Sequence, residues 1–252
     1  MSATAVIKSG YVKGVRLIDA VVHRLGADSF FTKRLDRRPI HWFYSLLAIH
    51  HLDRMIALDV PWWTYTAIDH VEAFLARQSN PRVFEYGSGA STVWLAKRSA
   101  EVISVEHDDQ WYQTLSPRLM AMPHVAYHLV PPTADGDETD LDEAGDYRSK
   151  KHDHAGLCFR EYAASLDKDD GLFDLIVIDG RARHACLRHA IPKLAPGGLI
   201  VFDNSWRRRY RAGIRRSNLE PLVCTGMAPA LPVPDQTTLL YRKSEISLPL
   251  AG

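Results

Sequence analysis

Cysteine is scarce: Cys158, Cys186 and Cys224 are the only ones in 252 residues, and none stands in a CxxC spacing. That scarcity argues against a disulfide framework or a structural zinc site and points to a reducing compartment. An excess of one charge is also missing. Lys and Arg number 31 against 30 Asp and Glu, a formal net charge of +1, so the global field does not announce a polyanionic partner. No run approaches the roughly 18 apolar residues of a membrane-spanning helix. The first residues, MSATAVIKSGYVKG, lack the unbroken apolar core of a signal peptide. These absences predict a cytoplasmic protein with no transmembrane segment. What is present is ordinary for a globular chain: 46% hydrophobic and 24% charged residues, at a length that buries a full core.

One stretch organises the rest, VFEYGSGASTVWLAKRSAEVISVEHD from Val83 to Asp108. An apolar run ends on Glu85, and a small-residue turn from Gly87 to Thr92 leads into a helical run. A β-rich segment, Val102 to Val105, then ends on a second acid, Glu106. Strand, glycine loop, helix, strand and acid form the first half of a nucleotide-binding α/β unit. Gly87 and Gly89 permit positive φ and close approach of a ligand to the backbone. The helix start offers free N–H groups, and Glu106 follows the first glycine by about twenty residues, the spacing of a ribose-binding acid.

The remaining chain fits around this unit. Tyr11 to Leu25 predicts an amphipathic helix in a basic neighbourhood. It reads as packing on its own domain or on a second subunit of a homo-oligomer, or as a peripheral contact with a membrane surface. Pro39 to Leu58 predicts a second helix, and Thr66 to Asp69 a capping box that opens a third. The aromatics Trp62, Trp63 and Tyr65 read either as site-lining or as core. Residues 131–154 are acidic, poor in apolar side chains and long for a connection, so they read as a solvated loop or a lid. Phe173 to Asp179 is a buried parallel strand ending on an acid. A PGG turn, Pro196 to Gly198, precedes the apolar strand that ends on Asp203 and Asn204. Trp206 to Arg216 predicts an arginine-rich helix, and the segments around Leu222 and Thr238 a closing antiparallel hairpin.

The glycine loop, Glu106 and the PGG turn resemble class I S-adenosylmethionine (SAM) methyltransferases over roughly residues 80–205. The resemblance implies an α/β fold: a Rossmann-like, mostly parallel seven-stranded sheet with helices on both faces and the last strand antiparallel. Residues 1–60 would form a helical N-terminal extension and 61–252 the SAM-binding domain, with the long acidic loop at 131–154. It also implies S-adenosyl-L-methionine as cofactor. Glu85 would lie near the methionine amine, the loop residues Gly87, Ser88, Gly89, Ser91 and Thr92 under the ligand, and Glu106 on the ribose. His107 and Asp179 complete the implied set.

Asp179 with Asp203 and Asn204 also resembles the divalent-metal triad of catechol and caffeoyl-CoA O-methyltransferases, which implies Mg²⁺ on oxygen ligands. The other reading is metal-free, with Asp203 and Asn204 capping the next helix. Those enzymes carry a Lys base three residues after the first Asp, where this chain has Ala182. His184 is then the nearest base candidate, and Arg181 and Arg183 are placed to hold an anionic acceptor or to pair with site acids.

The motifs EYGSG, SVEHD, FDLIVIDGRAR and GGLIVFDNSW further resemble bacterial methyltransferases of polysaccharide and secondary-metabolite pathways. That likeness hands over no substrate; a small-molecule or glycan acceptor methylated at oxygen, whose proton a base or metal would remove, is the preferred reading, ahead of nucleic acid. Three rivals remain. An NAD-dependent oxidoreductase would want glycine where Thr92 stands. An RNA methyltransferase would use Arg207, Arg208, Arg209, Arg211, Arg215 and Arg216 on phosphates. A non-catalytic protein would hold SAM without turnover.

Overall fold

The computed structural model describes residues 28–48, 51–134, 147–149 and 154–243, together with Gly14, Val15, Ile18, Val22 and Arg24. Most of the expected first helix, and residues 135–146 and 150–153 of the acidic segment, lie outside the described residues. Helices α1 (Asp28–Thr32), α2 (Arg38–Ala48), α3 (Leu52–Ala57) and α4 (Tyr65–Leu75) precede the sheet. Then β1 (Arg82–Tyr86), α5 (Ala90–Ala96), β2 (Glu101–Glu106), α6 (Asp109–Leu119) and β3 (Val125–Leu129) build the first half. The second half is α7 (Arg160–Ala164), β4 (Phe173–Ile178), α8 (Arg183–Lys193), β5 (Leu194–Phe202), α9 (Arg211–Arg216), β6 (Glu220–Gly226) and β7 (Asp235–Tyr241).

The seven strands lie in the order β3-β2-β1-β4-β5-β7-β6. The first five are parallel to one another, and β7 runs antiparallel to both β5 and β6. All five parallel strands therefore deliver their carboxyl ends to one edge, on either side of the switch in strand order where ligands of open α/β sheets bind. Strand alternation splits the core in two. Phe84, Tyr86, Ile176, Ile178, Ile200 and Phe202 pack with Phe159 and Tyr162 on one face. Val83, Leu175, Val177, Leu199 and Val201 pack with Trp63, Phe74 and Trp94 on the other. The N-terminal helices add a third cluster, in which Tyr44, Leu47 and Met55 close on Ala90 and Ala230.

Several local expectations are corrected. The helix expected from Pro39 to Leu58 is two, because His51 is extended (φ −127°, ψ 95°) and starts α3 afresh. The expected capping box does not form: Thr64 is the N-cap, its hydroxyl donates to the Cys224 carbonyl (3.3 Å), and Asp69 pairs with Arg38 of α2. The arginine-rich helix is reduced to a 3₁₀ turn at Arg208–Tyr210 and α9, since Asn204 takes φ +48° and Arg207 is extended at ψ 121°.

Glu85 is the unusual core residue. It sits on the apolar face of β1 under α5 and is fully buried. Hydroxyls from Ser91 (2.5 Å), Thr92 (2.5 Å) and Ser104 (2.7 Å) all donate to its carboxylate. Thr92 in turn accepts from the Gly89 N–H (3.0 Å), so a hydrogen-bond chain runs from the glycine loop to the acid. Burial pushes the Glu85 carboxyl up to about 7 against the pull of those hydroxyls. An unfolded Glu releases its proton near 4.5, so the folded state holds the extra proton between the two values and stability falls as pH rises through them. Glu85→Gln removes that dependence. Relative to wild type, the variant should gain roughly 2–4 kcal/mol between pH 4 and pH 8, read by chemical denaturation. A stability difference that is the same at both pH values would show that Glu85 binds protons equally in the folded and unfolded chain.

Candidate active site

The carboxyl edge of the sheet opens into a cleft of about 1660 Å³. Its walls come from the glycine loop, the turn after β2, the turn after β4, the segment after β5, and α3 with the start of α6. Trp62, Arg148 and Ser149 also reach it. The register explains the convergence of acids. Val177 pairs with Val201 and Ile178 with Phe202, so Asp179 and Asp203 emerge side by side at the next position.

The glycine loop works as expected at one glycine and differently at the other. Gly87 has φ +90°, and a Cβ there would meet the Gly180 backbone at 2.7 Å, so the turns after β1 and β4 touch only because both residues lack a side chain. Gly180 itself lies over the buried Tyr162 hydroxyl, which would stand 2.0 Å from an added Cβ. Gly89 has an extended backbone (φ 179°), and a Cβ there would meet nothing nearer than Ser91 Oγ at 3.7 Å. Nothing inside the protein requires glycine at Gly89; the space it leaves belongs to the cleft.

Glu106 turns its carboxylate onto its own loop. Oε1 accepts from the backbone N–H groups of His107 (2.7 Å) and Asp108 (2.9 Å), and Oε2 from the Ser88 N–H (3.2 Å) and hydroxyl (2.8 Å). Burial alone would raise this carboxyl, but the contacts with His107, Asp108 and Ser88 outweigh it and hold it below its ordinary value. His107 Nδ1 lies 2.7 Å from Oε1, and its Nε2 accepts from Arg181 Nε at 3.2 Å. Arg181 thus ties the turn after β4 to the turn after β2. Asp108 caps α6 through the Trp111 N–H (2.9 Å), and the Trp111 indole N–H donates to the Ser88 carbonyl (2.9 Å), which sets a half-exposed ring beside Glu106.

At the other end, Arg183 is buried between the two acids. Its Nη2 donates to Asp179 Oδ1 (2.8 Å) and the Asp179 carbonyl (2.6 Å), its Nε donates to the Gly180 carbonyl (3.1 Å), and its Nη1 donates to the Asp203 carbonyl and lies 3.7 Å from Asp203 Oδ2. Thr237 also donates to Asp203 Oδ1 (2.8 Å). Burial raises the Asp179 carboxyl against the nearby guanidinium. Burial and the Asp179 charge together push Asp203 well above the ordinary carboxylate range.

The set Asp179, Asp203 and Asn204 does not suit Mg²⁺ in this arrangement. A guanidinium already stands between the carboxylates, and the Asn204 amide is spent: its Oδ1 accepts from Arg207 (3.0 Å) and its Nδ2 donates to Asp235 (2.8 Å). Among the described residues, no group of His, Cys, Asp and Glu is arranged to hold a metal ion. His184 does line the cleft, but its ring is boxed in by Gly213, where a Cβ would come within 2.7 Å of Nε2, and by Tyr210 at 5.5 Å between ring centroids. Glu85, Thr92 and Asp203 lie behind the wall, whereas Gly87, Ser88, Gly89, Ser91, Glu106, His107, Asp179, Arg181 and Asn204 are on it. Of the aromatic cluster, Trp62 faces the cleft, Trp63 packs edge-on against Trp94 (5.9 Å), and Tyr65 bonds His41 Nδ1 (2.7 Å). Neither Trp111 nor the Ser104 hydroxyl carries a signal in the chain that would single it out. Arg183, one of the two arginines expected to pair with site acids or hold an acceptor, pairs with Asp179 one helical turn before it.

Residues 84–205 match the family described as a methyltransferase domain. No curated protein matches the chain. Among solved structures, a methyltransferase-like protein from Silicibacter pomeroyi is 21% identical, with 69% of this chain and 86% of that one covered at a TM-score of 0.45. An rRNA methylase from Streptococcus thermophilus is 16% identical, with coverages of 68% and 93% and a TM-score of 0.44. A putative methyltransferase from Streptococcus mutans in complex with S-adenosylhomocysteine (SAH) is 10% identical, with coverages of 69% and 96% and a TM-score of 0.45. Likenesses at this level assign no substrate and no residue a role. The matched residues 84–205 take in the parallel strands β1 (from Phe84) to β5 and the turns that line the cleft.

Proposed function

We propose that the protein transfers a methyl group from SAM to an oxygen atom of a small-molecule or glycan acceptor bound in this cleft. One observation carries the reading. A ribose-type acid, a glycine loop with unclaimed space at Gly89, and a part-buried Asp–Arg pair meet on the walls of a single cavity.

When bound, SAM supplies a methyl carbon activated by its sulfonium, and the chain's own residues do the rest. Glu106 would accept from the ribose hydroxyls, which take the place of the Ser88 hydroxyl at Oε2, while the anchored Oε1 keeps the carboxylate fixed. Trp111 offers a flat apolar wall beside it. Gly89 and the Ala90 N–H at the start of α5 border the loop side. At the acceptor end, Asp179 is the group suited to take the hydroxyl proton as the oxygen attacks. Its raised pKa brings it toward the operating pH, where a general base works best. Arg183 orients Asp179 and balances its charge, the part that a divalent ion would otherwise play. Positioning then supplies much of the acceleration, as expected for in-line displacement at carbon.

SAM and SAH should both bind with micromolar-range affinity, and Glu106→Ala should weaken each by roughly 1–3 kcal/mol through loss of charge-assisted bonds. Isothermal titration checks this; a folded wild-type protein that binds neither ligand would remove the proposal.

A further inference from the structure

Resting on the methyltransferase reading, we propose that the acceptor carries an anionic group, a phosphate or a carboxylate, held by Arg207 and Arg209 on the cleft wall after β5. The acids on the wall are already engaged within the protein. Asp53 pairs with Arg118 (2.9 Å), Glu106 is bound by its own loop, Asp108 caps α6, and Asp179 pairs with Arg183 (2.8 Å). The two arginines differ. Arg207 Nη2 donates to the Asn204 amide oxygen (3.0 Å) and Arg209 Nη2 to the Tyr210 hydroxyl (3.0 Å), both neutral acceptors. Among the described residues, neither guanidinium has a carboxylate within ion-pair distance. Each guanidinium carries five N–H donors in a planar fork, so most of that capacity points to a ligand rather than to the fold.

The placement is built rather than incidental. Asn204 is held by Asp235 (2.8 Å) at a positive φ of 48°, and in that position its amide oxygen orients Arg207. Arg209 lies over the Tyr210 ring at 4.8 Å, which keeps it flat against the wall beside His184. Two uncompensated cations in a concave site focus the field on an entering anion, and bidentate geometry suits the planar oxygens of carboxylate or phosphate. A small anionic acceptor fits better than a polynucleotide, because these two side chains line the cavity whereas Arg208, Arg211, Arg215 and Arg216 do not.

The test titrates pyrophosphate and citrate into SAH-saturated protein by calorimetry. Wild type should bind at least one of them at millimolar concentration or better. Arg207→Gln/Arg209→Gln should weaken that binding by about tenfold or more while SAH affinity stays within twofold; Arg209→Gln alone serves if the double variant does not fold. Arg211→Gln/Arg215→Gln should leave anion binding unchanged. Preference for pyrophosphate assigns a phosphate, and preference for citrate a carboxylate. SAH binding with no anion binding overturns the proposal and leaves the methyltransferase reading standing. Equal loss in both double variants, or tighter binding of single-stranded RNA that depends on Arg211 and Arg215, overturns it in favour of a diffuse basic surface. Anion binding without SAH binding overturns the acceptor assignment together with the methyltransferase reading.

Discussion

A guanidinium buried between two carboxylates fixes the geometry of the sheet's carboxyl edge. Two neighbouring parallel strands each end on an acid, and register sets Asp179 beside Asp203. Left alone, the pair would suffer mutual repulsion and a desolvation penalty of several kcal/mol per ion. Arg183 resolves this from within the same turn. It enters at the start of α8, one helical turn after Asp179, and satisfies three backbone carbonyls as well as the acids. Neither carboxyl returns to its ordinary range, so the cluster holds more protons than three exposed groups would. The orientation of the Asp179 carboxylate traces to this one side chain, and the misfit of Asp179, Asp203 and Asn204 for Mg²⁺ traces to it together with the partners of Asn204.

The two ends of the cleft divide the electrostatic work. At the Glu106 end Oε1 is anchored by backbone N–H groups, which holds the carboxylate in one orientation. At the far end, arginines outnumber unpaired acids. Arg181 spans the middle through His107, so the turns that carry the two ends are joined across the cavity. Beneath the floor, Glu85 and its three hydroxyls hold the glycine loop on the sheet.

Much of this was legible in the chain. The run FDLIVID could only be a central strand, the glycine loop announced its turn, and strand alternation put the acids at carboxyl ends. What was hidden depended on register and on distant partners. Glu85 looked like Glu106, yet it lies one residue before the end of its strand whereas Glu106 is the last of its own, and the hydroxyls that bond Glu85 come from two separate elements. Arg181 and Arg183 are two residues apart in an arginine-rich turn, and the left-handed backbone at Ala182 (φ +45°) decides between them. Arg181 lines the cleft toward His107, and Arg183 turns inward. The partner that occupies Asn204 was hidden for the same reason: Arg207 cannot be assigned to it from spacing alone. Helix lengths failed where single residues took extended or positive-φ conformations, at His51 and Asn204.

A crystal structure of the protein grown with SAH and Mg²⁺ tests this account most directly. The account predicts SAH density between the glycine loop and Glu106, with its homocysteine end toward Asp179. It also predicts Arg183 still bridging Asp179 and Asp203, with no cation between them. A divalent ion coordinated by Asp179, Asp203 and Asn204, with Arg183 displaced, would contradict it.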